Sequence, residues 1–360
     1  MKFLLNLNWP ITISSLLLLS IGILVIYSSS PQLAFQQFIF VCFSFVLFLL
    51  ISQFDIAALS NFIFLFYMLI LLLLVGVLIL GVETRGSIRW IPLGLFNIQP
   101  SELAKPVLIL FLANFWSRNT TNYKNIFKSI LLSFPLLFLV FQQPDLGSTL
   151  TLIAIWIGMF IVSGVPIKKI LSITLMGIIL IPLVWISLQG YQKERVFGFL
   201  APEADPLGKG YNLIQSTIAV GSGEFLGRGL GRGTQSRLQF LPEYRTDFIF
   251  ASIAEELGFL GSMIILILYG FLFITLLNIS KNSRDYFGNL IIYGVVFMLM
   301  FQTCINIGMN IGLLPITGIT LPLISYGGSS LLSTFICLGL VSSVAKYKRK
   351  VDYVHVTERS

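Results

Sequence analysis

The sequence predicts an all-α, polytopic membrane protein with about ten transmembrane helices and one large extracytoplasmic loop. Three observations carry this expectation. Hydrophobic residues make up 56% of the chain and charged residues only 11%, giving a mean hydropathy of +0.92. Apolar runs long enough to cross a bilayer recur along the chain with few charges inside them. No polar stretch is long enough to fold as an independent soluble domain, so the 360 residues read as one transmembrane domain, 1–360.

The runs fall at Ile11–Tyr27, Leu33–Ile51, Phe62–Leu80, Glu102–Phe115, Ile126–Phe141, Leu146–Ile161, Ile170–Leu188, Phe248–Leu277, Leu290–Gly308 and Leu321–Val344. Proline, glycine and polar clusters punctuate their ends, as in Ser28-Ser-Ser-Pro31 and Gln142-Gln-Pro-Asp145. An even number of spans puts both termini on one side. Lys2, Arg118, Lys124, Lys128, Lys168, Lys169, Lys281, Arg284 and the basic tail within 345–360 gather there, whereas the short loops opposite hold only Arg85 and Arg89. By the positive-inside rule the termini are cytoplasmic and the long loop is outside. The net charge of +8 then reflects topology and anionic membrane lipids rather than nucleic acid.

Lys2 and the first apolar run have no small-residue cleavage site before Pro31, so the first span is expected to stay uncleaved. Cys42, Cys304 and Cys337 lie inside apolar runs, which excludes an external disulfide framework. The only histidine, His355, is in the cytoplasmic tail. Serine–histidine triads, histidine bases and histidine-bound zinc are thereby excluded from the outer face.

Polar information concentrates in the loop 189–247, which is too long to be a mere connection. Its basic residues, among them Lys193, Arg195, Lys209, Arg228, Arg232, Arg237 and Arg245, nearly balance its acidic ones. Two readings stand: a solvated face, or a site for an anionic, polar ligand at the membrane surface. The amphipathic stretch Tyr211–Val220 suits a helix lying on that surface. Gly221–Gly233 lacks the Gly-Lys-Ser/Thr ending of a nucleotide loop, although its glycines with Arg228 and Arg232 suit an anion-binding nest.

Two carboxylate motifs are sharper. Asp247 opens the eighth span, where it serves either as a helix cap or as a reactive carboxylate at headgroup level. Glu255 and Glu256 lie about 12 Å deeper at 1.5 Å per residue, where ionisable groups are paired or functional. In Gln99-Pro-Ser-Glu-Leu-Ala-Lys105, Ser101 is placed to cap a helix on which Glu102 and Lys105 share a face. That pair either faces a polar cavity or only braces the bundle.

The chain resembles the SEDS family (shape, elongation, division and sporulation proteins, including RodA, FtsW and SpoVE). The matching stretches are Gln99-Pro-Ser-Glu-Leu-Ala-Lys105, Gln143-Pro-Asp-Leu-Gly-Ser148, Asp205-Pro-Leu-Gly-Lys-Gly-Tyr211, Gln215 to Gly223 and Leu241-Pro-Glu-Tyr-Arg-Thr-Asp-Phe-Ile-Phe-Ala251. They continue through Ala254-Glu-Glu-Leu-Gly258, Asn306-Ile-Gly308 and Pro322-Leu-Ile-Ser-Tyr-Gly-Gly-Ser-Ser330, in family order across most of the chain. Gly233-Thr-Gln-Ser-Arg237 and Leu241-Pro-Glu243 look more like the RodA branch.

The resemblance implies a peptidoglycan glycosyltransferase that polymerises lipid II into β-1,4 glycan strands at the outer face of the cytoplasmic (inner) membrane, for cell elongation and shape or for division. Asp247 falls on the family's essential aspartate and is expected to be catalytic. Trp90, Glu102, Lys105 and Asp145 fall on functionally sensitive positions; Arg85, Arg195, Lys209 and Arg245 join them as expected substrate contacts. A basic residue and histidine often precede the Thr-Asp in elongation members, where this chain has Tyr244-Arg245. The donor sugar is α-linked to pyrophosphate and the product is β-linked, so one inverting displacement suffices, with a single carboxylate as general base. The leaving pyrophosphate calls for Arg, Lys or a divalent cation such as Mg2+ or Mn2+. A class B penicillin-binding protein is the implied partner. The competing readings are a flippase for the lipid-linked precursor and a non-catalytic scaffold that activates a partner synthase.

Overall fold

A computed structural model describes residues 7–84, 87–92, 97–238, 240–283 and 285–357. Its helices are α1 (Trp9–Ser29), α2 (Pro31–Ile51), the short α3 (Ile56–Leu59), α4 (Ile63–Leu80), α5 (Pro100–Arg118), α6 (Tyr123–Gln142), α7 (Leu146–Val162) and α8 (Ile167–Ser187). After these come α9 (Gly190–Leu200), α10 (Tyr211–Ser222), one-turn α11 (Thr234–Arg237), α12 (Ile249–Asn282), α13 (Tyr286–Asn310) and α14 (Gly328–Thr357). The ten expected spans coincide with α1, α2, α4 to α8 and α12 to α14. Eight of the helices are long and apolar enough to cross a membrane. The other two are α7, apolar but only 17 residues long, and α5, whose first turn carries Glu102 and Lys105.

Start signals follow local chemistry. Proline stands in the first turn of α1, α2 and α5, where its missing N–H costs nothing. Asn122 and Asp145 accept from the backbone amides of Asn125 and Ser148 to open α6 and α7. Ser101 does not cap α5: Gln99 holds that position without a side-chain cap bond. The apolar faces of α13 pack on α5, α7, α12 and α14, while α14 also packs on α2 and α5. α1 closes the assembly against α2 and α12.

Three features depart from the simple bundle. Between α4 and α5 lies a three-stranded antiparallel sheet, β1 (Val82–Thr84), β2 (Ser87–Pro92) and β3 (Asn97–Ile98), too short to leave a periodicity in the sequence. The long loop contains α9, α10 and α11, and α10 does not simply rest on a surface. Its Leu213, Ser216 and Ala219 are buried as it packs on α12 and α13.

The third is a break inside α12 at Gly258, whose φ of 66° and ψ of −162° belong to a region open essentially to glycine. The Gly-rich segment fills this break. Arg228 and Gly229 amides donate to the Glu255 and Glu256 carbonyls at 2.9 and 3.0 Å, and the Phe259 and Leu260 amides donate back to Glu224 and Phe225 at 2.9 and 3.2 Å. A Cβ on Gly223 or Gly227 would run into the Ala254 or Glu256 carbonyl. The amides of Gly227, Arg228, Gly229 and Arg232 are spent on carbonyls, so the anion nest expected here is corrected to a backbone splice. Glu255 accepts from the Gln235 amide and Thr234 hydroxyl, and Glu256 from Ser28; both deep carboxylates are paired.

Candidate active site

The loop ends of α5, α7, α13 and α14 enclose a cavity of about 820 Å3, walled also by Arg89 and Trp90 of β2 and by the turn before α12. A second cavity of about 500 Å3 lies under α9 and α10. Tyr191, Arg195, Glu243 and Asp247 line both.

In the larger cavity Lys105 Nζ donates to Glu102 Oε1 at 2.6 Å. The two are 2% and 7% exposed, so each cancels a charge that burial would penalise alone. Glu102 Oε2 has no hydrogen-bond partner. Asp145 is occupied on both oxygens: Oδ1 accepts from the Ser148 amide, and Oδ2 from Gln99 Nε2 at 2.8 Å and Ser101 Oγ at 2.9 Å. Arg89 stands 3.8 Å from Asp145, donates to the Gln143 carbonyl at 3.0 Å and binds the Pro144 carbonyl. Arg89 thus fixes the bend that starts α7 while lining the cavity.

Asp247 is half-buried, and Phe248, not Asp247, is the N-cap position of α12, with no side-chain cap bond. The cap comes from another helix. Asn310 Oδ1 accepts from the Ala251 amide at 2.9 Å, and its Nδ2 donates to the Asp247 carbonyl at 3.0 Å. Asn306 Nδ2 donates to the same carbonyl at 2.9 Å. The preceding carbonyls are held as firmly, Thr246 by Ser325 Oγ at 2.7 Å and Arg245 by the Tyr326 amide at 2.9 Å. Three consecutive carbonyls are therefore clamped, which fixes where the Asp247 side chain departs. Gly318, with φ of 75°, passes beneath it: a Cβ there would stand 3.5 Å from both Arg195 Nη1 and Asp247 Oδ2. Glu243 holds a left-handed φ of 53° and accepts from Thr246 Oγ1 at 3.1 Å. Such strain concentrates at functional sites.

The expected site residues sort by place. Trp90, Glu102, Lys105 and Asp145 line the larger cavity, Lys209 the smaller, and Arg195 and Asp247 both. Lys209 pairs with Glu194 at 3.2 Å on the exposed rim. Arg245 is a correction: it lines neither cavity, donating instead to Ser29 Oγ at 3.0 Å and lying over the Tyr244 ring. The chain direction at Tyr244–Thr246 turns its side chain toward α1, away from the cavities. Arg85 lies outside the described residues. Sequence reasoning missed Arg89, Glu243, Gln302 and Gly318 as wall residues. For Gln302 the signal on offer was the four-residue spacing it shares with Asn306 and Asn310 on α13, with nothing to tell which of the three amides keeps an unpaired acceptor.

This arrangement defines a class: a polytopic helical membrane protein with a polar, charged chamber at one end, fit for an amphiphile with an anionic head. The chain belongs to the FtsW/RodA/SpoVE family of cell cycle proteins, whose family model matches residues 8–350. It is 40% identical over 281 residues to the peptidoglycan glycosyltransferase MrdB of Escherichia coli, covering 77% of this chain and 76% of that one. It is 36% identical over 357 residues to stage V sporulation protein E of Bacillus subtilis, covering 94% and 97%. Among solved structures, a chain from a peptidoglycan synthase complex coordinating polymerization and crosslinking aligns with TM-score 0.83 and 33% identity over 95% of this chain and 98% of that one. The rod shape determining protein RodA of Thermus thermophilus aligns with TM-score 0.73 and 28% identity over 95% and 97%.

Proposed function

We propose that Asp247 is the general base of a lipid II polymerase and that the two cavities meeting at it receive the two saccharides. Family membership and relatives bearing the name make the chain a peptidoglycan glycosyltransferase. The observation supporting the assignment of Asp247 is its place in the wall shared by both cavities, on a clamped main chain and outside the cap position.

In this reading the acceptor 4-hydroxyl gives its proton to Asp247 as its oxygen attacks C1 of the donor sugar. The new C1–O bond forms on the face opposite the leaving group, and the bond to the pyrophosphate breaks with inversion. Arg195, beside Asp247, and Arg89, across the larger cavity, supply positive charge to the departing pyrophosphate. Lys105 supplies less, being neutralised by Glu102. No group of three or more His, Cys, Asp or Glu side chains able to hold a metal occurs among the described residues. A Mg2+ or Mn2+ brought by the pyrophosphate would be held mainly by phosphate oxygens and water, since Asp247 serves on the opposite face of the sugar.

The charge asymmetry of the short loops supports a reading with both termini in the cytoplasm and these cavities outside, where a class B penicillin-binding protein would cross-link the product. Cysteines introduced at Ser236 and Ser360 test this orientation: an impermeant thiol reagent should label the first from outside intact cells and spare the second. The reverse pattern overturns it. The activity is tested by supplying purified protein with lipid II, alone and with its transpeptidase. Glycan strands are expected, and their absence in both cases would remove the proposal.

A further inference from the structure

Gln302, Asn306 and Asn310 recur every fourth residue and so share one face of α13; all three are at most 3% exposed. Asn306 and Asn310 spend their carboxamides on the Asp247 carbonyl and on the start of α12. Gln302, one turn deeper, is the exception: its Oε1 is buried without a hydrogen-bond partner, yet the residue lines the larger cavity. Glu102 Oε2, in the wall of the same cavity, is the second buried acceptor left without a donor. Buried acceptors of this kind are normally satisfied. Donors reaching this wall, from water or from a substrate, would satisfy them.

Two acceptors, one of them a carboxylate oxygen, repel phosphate oxygens and select neutral N–H and O–H groups. Leu146 and Ile319 line the same cavity and offer apolar surface for a methyl group. We infer that Gln302 and Glu102 form a saccharide subsite in the floor of the larger cavity, where Gln302 Oε1 accepts the N–H of a sugar acetamido group and Glu102 Oε2 accepts a sugar hydroxyl. The pyrophosphate is then kept to the arginine-lined parts of the chamber. This rests on the glycosyltransferase reading for the identity of the sugar, and it makes Gln302 a specificity-determining residue of that reaction.

The test compares lipid II with an analogue whose acetamido nitrogens are methylated, which deletes the donor and keeps the acetyl group. Wild-type protein should show a KM for the analogue roughly tenfold higher, the effect of one net hydrogen bond. Gln302→Met, of similar length and apolar, should raise KM for lipid II by a similar factor with kcat little changed, and should treat the two substrates alike. Gln302→Glu, which retains an acceptor oxygen, should still prefer lipid II. Equal KM values for both substrates with the wild-type protein, or undiminished discrimination in Gln302→Met, would overturn the subsite. Should the wild-type protein make no polymer, the glycosyltransferase reading falls instead. Equilibrium binding of lipid II in nanodiscs then decides, with tenfold weaker binding by Gln302→Met supporting the subsite and equal binding refuting it.

Discussion

Replacing Asp247 by asparagine separates a chemical role from a structural one. The amide is nearly isosteric with the carboxylate, and the bonds that organise this segment run through main-chain carbonyls: Asn306 and Asn310 to Asp247 at 2.9 and 3.0 Å, Ser325 to Thr246 at 2.7 Å. All three survive the substitution. Because Phe248 occupies the cap position, no cap is removed, and because asparagine keeps an acceptor oxygen the stability change should stay within about 1 kcal/mol. A general base contributes on the order of 10²–10⁴ in rate, equivalent to about 2.7–5.5 kcal/mol of barrier. The two expectations differ enough to be distinguished in one experiment. Glycan polymerisation from lipid II is measured for Asp247→Asn beside wild type, together with thermal unfolding in the same detergent. Near-normal polymer from the variant would refute the base assignment, and parallel losses of stability and activity would make Asp247 a structural residue.

Asn310→Ala leaves the buried Ala251 amide without its acceptor, a cost of about 1–3 kcal/mol. It should lower the melting temperature more than Asn306→Ala, which leaves that cap intact; the two melting curves decide. Either single change at Glu102 or Lys105 strands a buried charge, costing about 3–5 kcal/mol. Exchanging both (Glu102→Lys with Lys105→Glu) should recover part of the lost activity, and a double variant no better than the singles would refute the paired unit. Recovery should be incomplete, because a lysine then sits in the first turn of α5 against the helix dipole. Arg245→Ala removes the tie to Ser29 but no cavity wall, so lipid II KM should be unchanged while thermal stability drops; a large KM rise would return Arg245 to the substrate site.

The spans were legible because burial in lipid demands length and apolarity, and both can be read residue by residue. The site was legible only where charge appeared in an apolar context. Glu102, Lys105 and Asp247 stand out for that reason, Asp145 is reached only through the family resemblance, and the structure gathers all four around one chamber. Arg89 and Arg245 illustrate the limit. Both are single arginines near span ends, and only the path of the backbone decides that one lines the cavity while the other turns to α1. The three strands escaped notice because two to six residues cannot establish a period of two. Gln302 needed the structure for a different reason: an uncharged amide in a helix has no meaning until its neighbours' bonds are counted.

The splice at Gly258 has a consequence for biogenesis. The chain is made and inserted in order, so the segment that fills the break, around Glu224 to Gly229, emerges before α12 does. When α12 first enters the bilayer its interrupted ladder exposes the Glu255 and Glu256 carbonyls and the Phe259 and Leu260 amides, groups that hydrocarbon cannot satisfy. The loop segment must fold back and cover them. Insertion of α12 and closure of the loop are thus coupled, and a chain stalled between the two would carry an open polar seam.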